Sequence, residues 1–379
     1  MSPSSALSAR AQQHATRAAF FIPGFATAIW AVLVPFAKSR TGVDDGTLGL
    51  ILLCLGAGSL LAMPLAGTLA ARFGCRRVMA LATAVICASL PLLALGESPW
   101  LLGAALFVFG AGIGAMDCTM NMQAVVVERE SGRAMMSGFH AFFSIGGFVG
   151  SAAMTLLLWT QWGPVAAALA GTLAICAVAV ASARLWRAER TSQGGPLLAW
   201  PRGVVLFIGV LAFVVFLAEG AMLDWSAVFL SDVRQVEPSS AGVGYVVFAL
   251  TMTVARLLGD AVVERLGRLR SILLGAMLAC AGFLVLTWVT PWQASLAGYL
   301  LLGLGCANIV PALFSLAGNQ RHMTPAIAIT AVSTLGYAGV LAGPALIGLA
   351  AQGIGLPAAF IGVAILLGGV ALSTRWLKV

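Results

Sequence analysis

Gly67-Thr-Leu-Ala-Ala71-Arg72-Phe-Gly74-Cys75-Arg76-Arg77 has a second, altered copy 193 residues further on, Glu264-Arg265-Leu-Gly267-Arg268-Leu-Arg270. Each copy is a short basic turn around a glycine, set between long apolar runs. Arg72, Gly74 and Arg76 align with Arg265, Gly267 and Leu269. The same offset aligns Gly110 and Gly112 with Gly303 and Gly305, and Gly146 and Gly150 with Gly339 and Gly343. One such match means little in a chain with 44 glycines. The set, falling on equivalent segments, points to a parallel internal repeat.

The runs around these turns explain the composition. Of 379 residues, 60% are hydrophobic and only 9% charged, against roughly 25% charged in a soluble domain. So few charges cannot cover a soluble surface of this length. The composition excludes a secreted disulfide scaffold, a disordered tail and a conventional cytosolic enzyme. The seven cysteines contain no C-x-x-C pair and are joined by only three histidines. They read as small core residues, with no metal site and no cofactor expected.

A bilayer crossing needs about 20 apolar residues, and twelve segments supply them. They fall near 17–37, 47–70, 78–96, 99–127, 134–160, 163–185, 203–230, 240–263, 269–290, 292–319, 324–351 and 355–375. Several breaks carry turn residues, such as Glu97-Ser98-Pro99, Trp162-Gly163-Pro164 and Gly355-Leu356-Pro357. The expected fold is an all-α membrane protein of two six-helix bundles related by a pseudo-two-fold axis. The bundles are 1–185 and 203–379, joined by a polar linker at 186–202. Residues 1–16 lack an apolar signal core, so no cleavable signal peptide is expected and the first span serves as the insertion signal.

Lysine and arginine set the expected orientation. Lys38, Arg40 and Arg234 fall on one side, and the other 18 of 21 basic residues, from Arg10 to Lys378, on the opposite side. This predicts a multi-pass protein of a bacterial inner membrane with both termini cytoplasmic. The net charge of +8 is then topology charge, and nucleic-acid binding is not expected.

Twelve spans, a central linker and Arg/Gly turns after spans 2 and 8 resemble the major facilitator superfamily. Its usual loop reads Gly-x-x-x-Asp-Arg-x-Gly-Arg-Arg. Here Ala71 stands at the Asp position, while the second copy keeps an acid in Glu264. The resemblance implies cytoplasmic gate loops containing Arg72, Gly74, Arg76, Arg265 and Gly267, with Arg256, Asp260 and Glu264 taking more of the load. Two longer stretches are similar to the uncharacterised YbjJ-type inner-membrane branch, and more distantly to fucose permeases. They are Met116-Asp117-Cys-Thr-Met-Asn121 through Ser137-Gly-Phe-His140, and Glu219-Gly220-Ala-Met-Leu-Asp224-Trp225 with Arg256-Leu-Leu-Gly259-Asp260.

An ionisable side chain near the bilayer centre costs about 2.5–3.5 kcal/mol on insertion scales, so it persists for function or for pairing. Asp117 lies eleven residues before Glu128, about 16.5 Å along a helix. It shares a small polar stripe with Gly110, Gly114 and Asn121. Glu219 is equally deep, and Glu219-Gly220 is expected to interrupt span 7. Asp224 lies nearer the outside, as a gate or binding group. His140 heads a stripe with Ser144, Gly147, Ser151 and Thr155 and suits proton relay. Asn308 sits mid-span, with Pro311 placed to kink span 10; Tyr337 and Trp30 are candidate cavity aromatics. Each has a packing alternative: a paired acid, a satisfied histidine, an ordinary core ring. For Arg256 and Asp260 that alternative is an i,i+4 ion pair.

No Walker loop occurs, so coupling to a gradient is expected. Desolvation favours the neutral carboxylate, which lets a buried acid carry a proton. The expected function is alternating-access symport of a small polar, sugar-like or organic solute with protons, by a monomer and without enzymatic chemistry. Proton-coupled export is the runner-up. A non-transporting membrane sensor or partner protein on the same fold is the alternative of another class. No ring of charges or filter loop suggests a channel.

Overall fold

The computed structural model describes residues 3–43, 45–188, 201–237 and 242–377. Arg190, Lys378 and most of the expected linker (189–200) lie outside them. Among the described residues, twelve helical segments are long and apolar enough to cross a membrane. In a medium without water every backbone N–H and C=O must find a partner inside the chain, and a continuous helix meets that demand locally.

Spans 1–6 are Pro3–Thr41, Asp45–Phe73, Cys75–Leu95, Pro99–Ser131, Met136–Trp159 and Pro164–Ser182. Span 7 is Gly203–Val228, continued by a π-helical turn Phe229–Val233. Spans 8 and 9 are Val243–Leu266 and Arg268–Trp288. Span 10 consists of two helices, Trp292–Cys306 and Ile309–Asn319; spans 11 and 12 are Pro325–Ile354 and Leu356–Ser373.

Contacts divide the chain into one unit of Met1–Gly132 with Phe142–Trp200 and another of Arg133–Ala141 with Pro201–Val379. The first turns of span 5 therefore go with the second unit. In the first unit span 4 packs on spans 2 and 3, and span 6 on spans 1 and 3. In the second, span 10 packs on spans 8 and 9, and span 12 on span 9. The pairings correspond element by element.

The correspondence extends to single atoms. Gly74 and Gly267 adopt nearly the same backbone, φ 87° and ψ 150° against φ 79° and ψ 158°. Each donates its N–H to the carbonyl four residues back, Ala70 at 2.8 Å and Val263 at 2.9 Å. Positive φ is the reason both turns are built on glycine. Gly110 lies against the Leu55 carbonyl, and Gly303 against the Phe248 carbonyl 193 residues later. Gly112 packs on Ala82 and Ile86, and Gly305 on Gly275 and Ala279, again at the same offset. These glycines let helix backbones meet. Ser59 uses the closeness, donating its hydroxyl to the Gly110 carbonyl at 2.7 Å.

Two arginines at the sparse-charge ends of the spans are caps. Arg40 donates to the carbonyls of Gly96 and Leu93, both at 2.8 Å. Arg234 donates to those of Leu286 and, at 3.0 Å, Thr287. Each thus satisfies the orphan carbonyls ending span 3 or span 9, where a cation also complements the helix dipole.

The beginning of the expected linker is packed. Trp186 is fully buried and donates its indole N–H to the Ala15 carbonyl at 3.2 Å. The Arg187 N–H bonds Gln123 Oε1 at 2.8 Å, and Gln123 Nε2 in turn donates to Thr16 Oγ1 at 2.9 Å.

Candidate functional site

The second unit contains a buried polar cluster built by four spans. Arg256, on span 8, reaches Glu219 of span 7 with one terminal nitrogen at 3.5 Å. Their side chains are 6% and 15% exposed. The Arg256 Nε donates to the Ala307 carbonyl of span 10 at 3.3 Å. That carbonyl is available because of Pro311. A helix residue four positions on normally donates its N–H there, and proline has none. Span 10 accordingly breaks at Ala307–Asn308, between its two helices, and the guanidinium takes the vacated acceptor.

This corrects one expectation. Span 7 is not interrupted at Glu219-Gly220: the α-helix runs unbroken through both residues to Val228. Gly220 instead faces span 11, where an added Cβ would lie 3.5 Å from the Val340 carbonyl oxygen. The break belongs to span 10, just before Pro311, where the kink was expected.

Asn308 turns its side chain onto Gly259 of span 8, and a Cβ at Gly259 would also come within 2.6 Å of the Ser137 Cβ. The Asn308 Oδ1 is buried and accepts no hydrogen bond among the described residues. His140 is buried, with its ring 5.8 Å from that of Phe314 on span 10. The Arg256 charge acts on His140, and the charges of Glu219, Asp224 and Arg256 all act on Tyr245. Tyr245 was missed in the sequence. It lies eleven residues before Arg256 on span 8, three helical turns, so helical spacing alone places it on the Arg256 face. Asp224 is exposed on the same span as Glu219, and Tyr337 is partly buried on span 11.

The expected gate residues divide. Arg256 is a buried partner of Glu219 as well as a neighbour of Asp260. Asp260 receives the Gly138 N–H at 3.1 Å on each carboxylate oxygen, at the start of span 5. Glu264 pairs with Arg133 at 3.1 Å, an exposed contact. Arg265 is exposed beside Gly267. In the first unit Arg72 is exposed and lies over the Phe73 ring. Arg76 is fixed: its Nε donates to the Trp186 carbonyl at 2.9 Å and its backbone N–H to that of Arg187 at 2.7 Å.

The first unit also holds a deep acid on span 4. Asp117 is partly exposed, and its backbone carbonyl accepts from Asn121 Nδ2 at 2.9 Å. Asn121 is buried, as is Trp30 on span 1. Gly110 and Gly114 of the same stripe face span 2, which explains their size. Among the described residues no group of three or more His, Cys, Asp or Glu is arranged to hold a metal ion.

Residues 15–320 match the sequence profile of the Major Facilitator Superfamily. An uncharacterised transporter of that superfamily from Yersinia pestis is 51% identical over 365 residues, 96% of this chain and 95% of the relative. Membrane protein MosC of Rhizobium meliloti is 33% identical over 344 residues, 90% and 84% of the two chains. The crystal structure of the transporter FucP in its outward conformation superposes with a TM-score of 0.81 at 14% identity, covering 97% of this chain and 98% of that one. The last likeness concerns the fold. The chain belongs to the major facilitator superfamily. It is a multi-pass membrane protein with that family's twelve-helix architecture, in a family of membrane transporters.

Proposed function

We propose that the chain is a proton-coupled symporter of a small polar solute, sugar-like or a small organic metabolite. It works by alternating access of two six-helix halves, 1–185 and 203–379, joined through 186–202. Both termini face the cytoplasm of a bacterial inner membrane, and the working unit is one chain. The observation that carries this reading is the Glu219–Arg256 pair, buried between spans 7 and 8 beside the break in span 10. A carboxylate that exchanges a proton for an arginine contact couples protonation to helix position, since the pair is strong only in its ionised form. Broken spans with exposed backbone groups are where many transporters hold solute and ion. Asp117 supplies a second deep carboxylate in the first unit. FucP is a fucose:proton symporter, and that activity fits a polar, proton-coupled solute here.

The test is reconstitution. A metabolite panel read by thermal shift identifies a stabilising solute, and uptake of that solute is followed in proteoliposomes with an imposed proton gradient. Gradient-driven uptake is expected in the native chain and lost in Asp117→Asn and Glu219→Gln, while substrate exchange without a gradient survives in at least one. Intact gradient-driven uptake in both variants refutes proton coupling through these acids. Stabilisation by many unrelated amphiphiles, with solute driven outward, refutes the uptake direction. No stabilising ligand and no counterflow refute transport altogether.

A further inference from the structure

Cys87 of span 3 and Cys176 of span 6 place their sulfurs 3.5 Å apart. Both belong to the first unit, both are free thiols and both are partly exposed. Each lies twelve residues into its helix, which begin at Cys75 and Pro164. That is about 18 Å along the helix axis, so both sit within the apolar thickness. Helix packing alone does not require this. The residue 193 positions after Cys87 is Cys280 of span 9, and span 12 sets Gly368 opposite it, where a Cβ would be 4.0 Å from the Cys280 sulfur. The repeat thus offers two thiols at this crossing in one unit and a single thiol in the other.

We propose that Cys87 and Cys176 form a membrane-embedded dithiol site for a trivalent, thiophilic centre that bridges two sulfurs, of which an uncharged aryl arsenical is the model ligand. Paired soft sulfur ligands select soft centres over hard cations. With an aryl arsenoxide, two As–S bonds form as two S–H bonds break. The arsenic–oxygen bonds are replaced and the oxygen leaves as water with both protons. No electron is transferred and no further reagent is needed. The depth of the sulfurs requires a ligand that enters the bilayer neutral, because thiolates and charged reagents are disfavoured there. Bridging ties span 3 to span 6 inside one unit.

The test uses the full chain in detergent with phenylarsine oxide as the probe. After exposure, the protein is denatured and its free thiols are alkylated with a maleimide, then read by intact mass and peptide mapping. One arsenical adduct is expected, with Cys87 and Cys176 protected among the seven cysteines and protection reversed by a small dithiol. Cys87→Ser and Cys176→Ser each lose the adduct, and Cys280→Ser keeps it. Full alkylation at all seven positions, or protection mapping to any other pair, overturns the proposal. Because mapping is done on the native sequence, the outcome is decisive even where a serine variant fails to fold.

Discussion

Removing Glu219 from its pair with Arg256 probes the cluster directly. The Glu219→Gln side chain keeps the volume and a weak acceptor but removes the carboxylate charge facing a guanidinium with 6% of its side chain exposed. Breaking one partner of a buried ion pair costs about 3–5 kcal/mol. The 3.5 Å separation is long for such a pair, and Arg256 retains its bond to the Ala307 carbonyl at 3.3 Å. The low end of that range therefore applies, ~3 kcal/mol, or about 100-fold in the folding equilibrium. Arg256→Met should cost a similar amount, since it strands both the carboxylate and the Ala307 carbonyl. The double variant Glu219→Gln/Arg256→Met removes both charges. Its destabilisation should fall short of the sum of the singles by roughly 1–3 kcal/mol, the coupling of contacting residues. Unfolding of the detergent-solubilised chain with increasing SDS, followed by tryptophan fluorescence, supplies all four free energies. If the singles add within about 0.5 kcal/mol, the two charges do not meet in the folded protein, and the proposed coupling of protonation to helix position loses its basis.

Three further outcomes follow from the repeat and the caps. Gly110→Ala and Gly303→Ala each push a methyl into a neighbouring helix's backbone carbonyl, which cannot turn aside as a side chain can. Each should destabilise by roughly 1–3 kcal/mol, seen as a lower midpoint in thermal scattering; unchanged midpoints would mean these helix crossings are looser than described. Gly267→Ala has room around it, with nothing within 4 Å of the new methyl, but φ of +79°. It should cost about 1–3 kcal/mol from backbone strain alone, and Gly74→Ala at φ +87° should be comparable in the same assay. Arg40→Ala and Arg234→Ala each uncap a helix end; a loss of about 1.5–3 kcal/mol is expected for a charged donor, and faster hydrogen exchange at the ends of spans 3 and 9 locates it. Protection left unchanged there would show the carbonyls are satisfied otherwise.

The fold was legible in the chain because its signals are local or periodic. Apolar runs of bilayer length give the spans. The 193-residue offset predicts which glycines are equivalent, and Gly110/Gly303 and Gly112/Gly305 meet equivalent partners because each glycine is needed for a backbone approach. The cluster was legible only as a set of residues out of place in a membrane. Glu219, Arg256, Asn308 and His140 could each be singled out, but which meets which depends on the rotation and depth of separate helices, and nothing along one helix encodes that. Arithmetic within span 8 offered Asp260, four residues on, as one partner of Arg256, and could not also offer Glu219 on span 7. Gly220 misled for a related reason. A glycine beside a deep acid is compatible with a broken helix and with close packing, and its neighbour Val340 on span 11 decides for packing. Pro311 carried a firmer signal than it was given. A proline deletes one specific hydrogen bond, and in a bilayer the stranded carbonyl, Ala307, must find another donor. Arg256 is a buried cation in the same unit with donors beyond those it spends on Glu219. The break in span 10 and the position of Arg256 are thus two sides of one requirement. Restoring the N–H with Pro311→Ala should return the Ala307 carbonyl to the helix and free the guanidinium Nε. Lengthening of the helical hydrogen-exchange protection through Ala307 and Asn308 would follow; if protection there stays broken, Asn308 and its contact with Gly259, rather than the missing N–H, hold the break open.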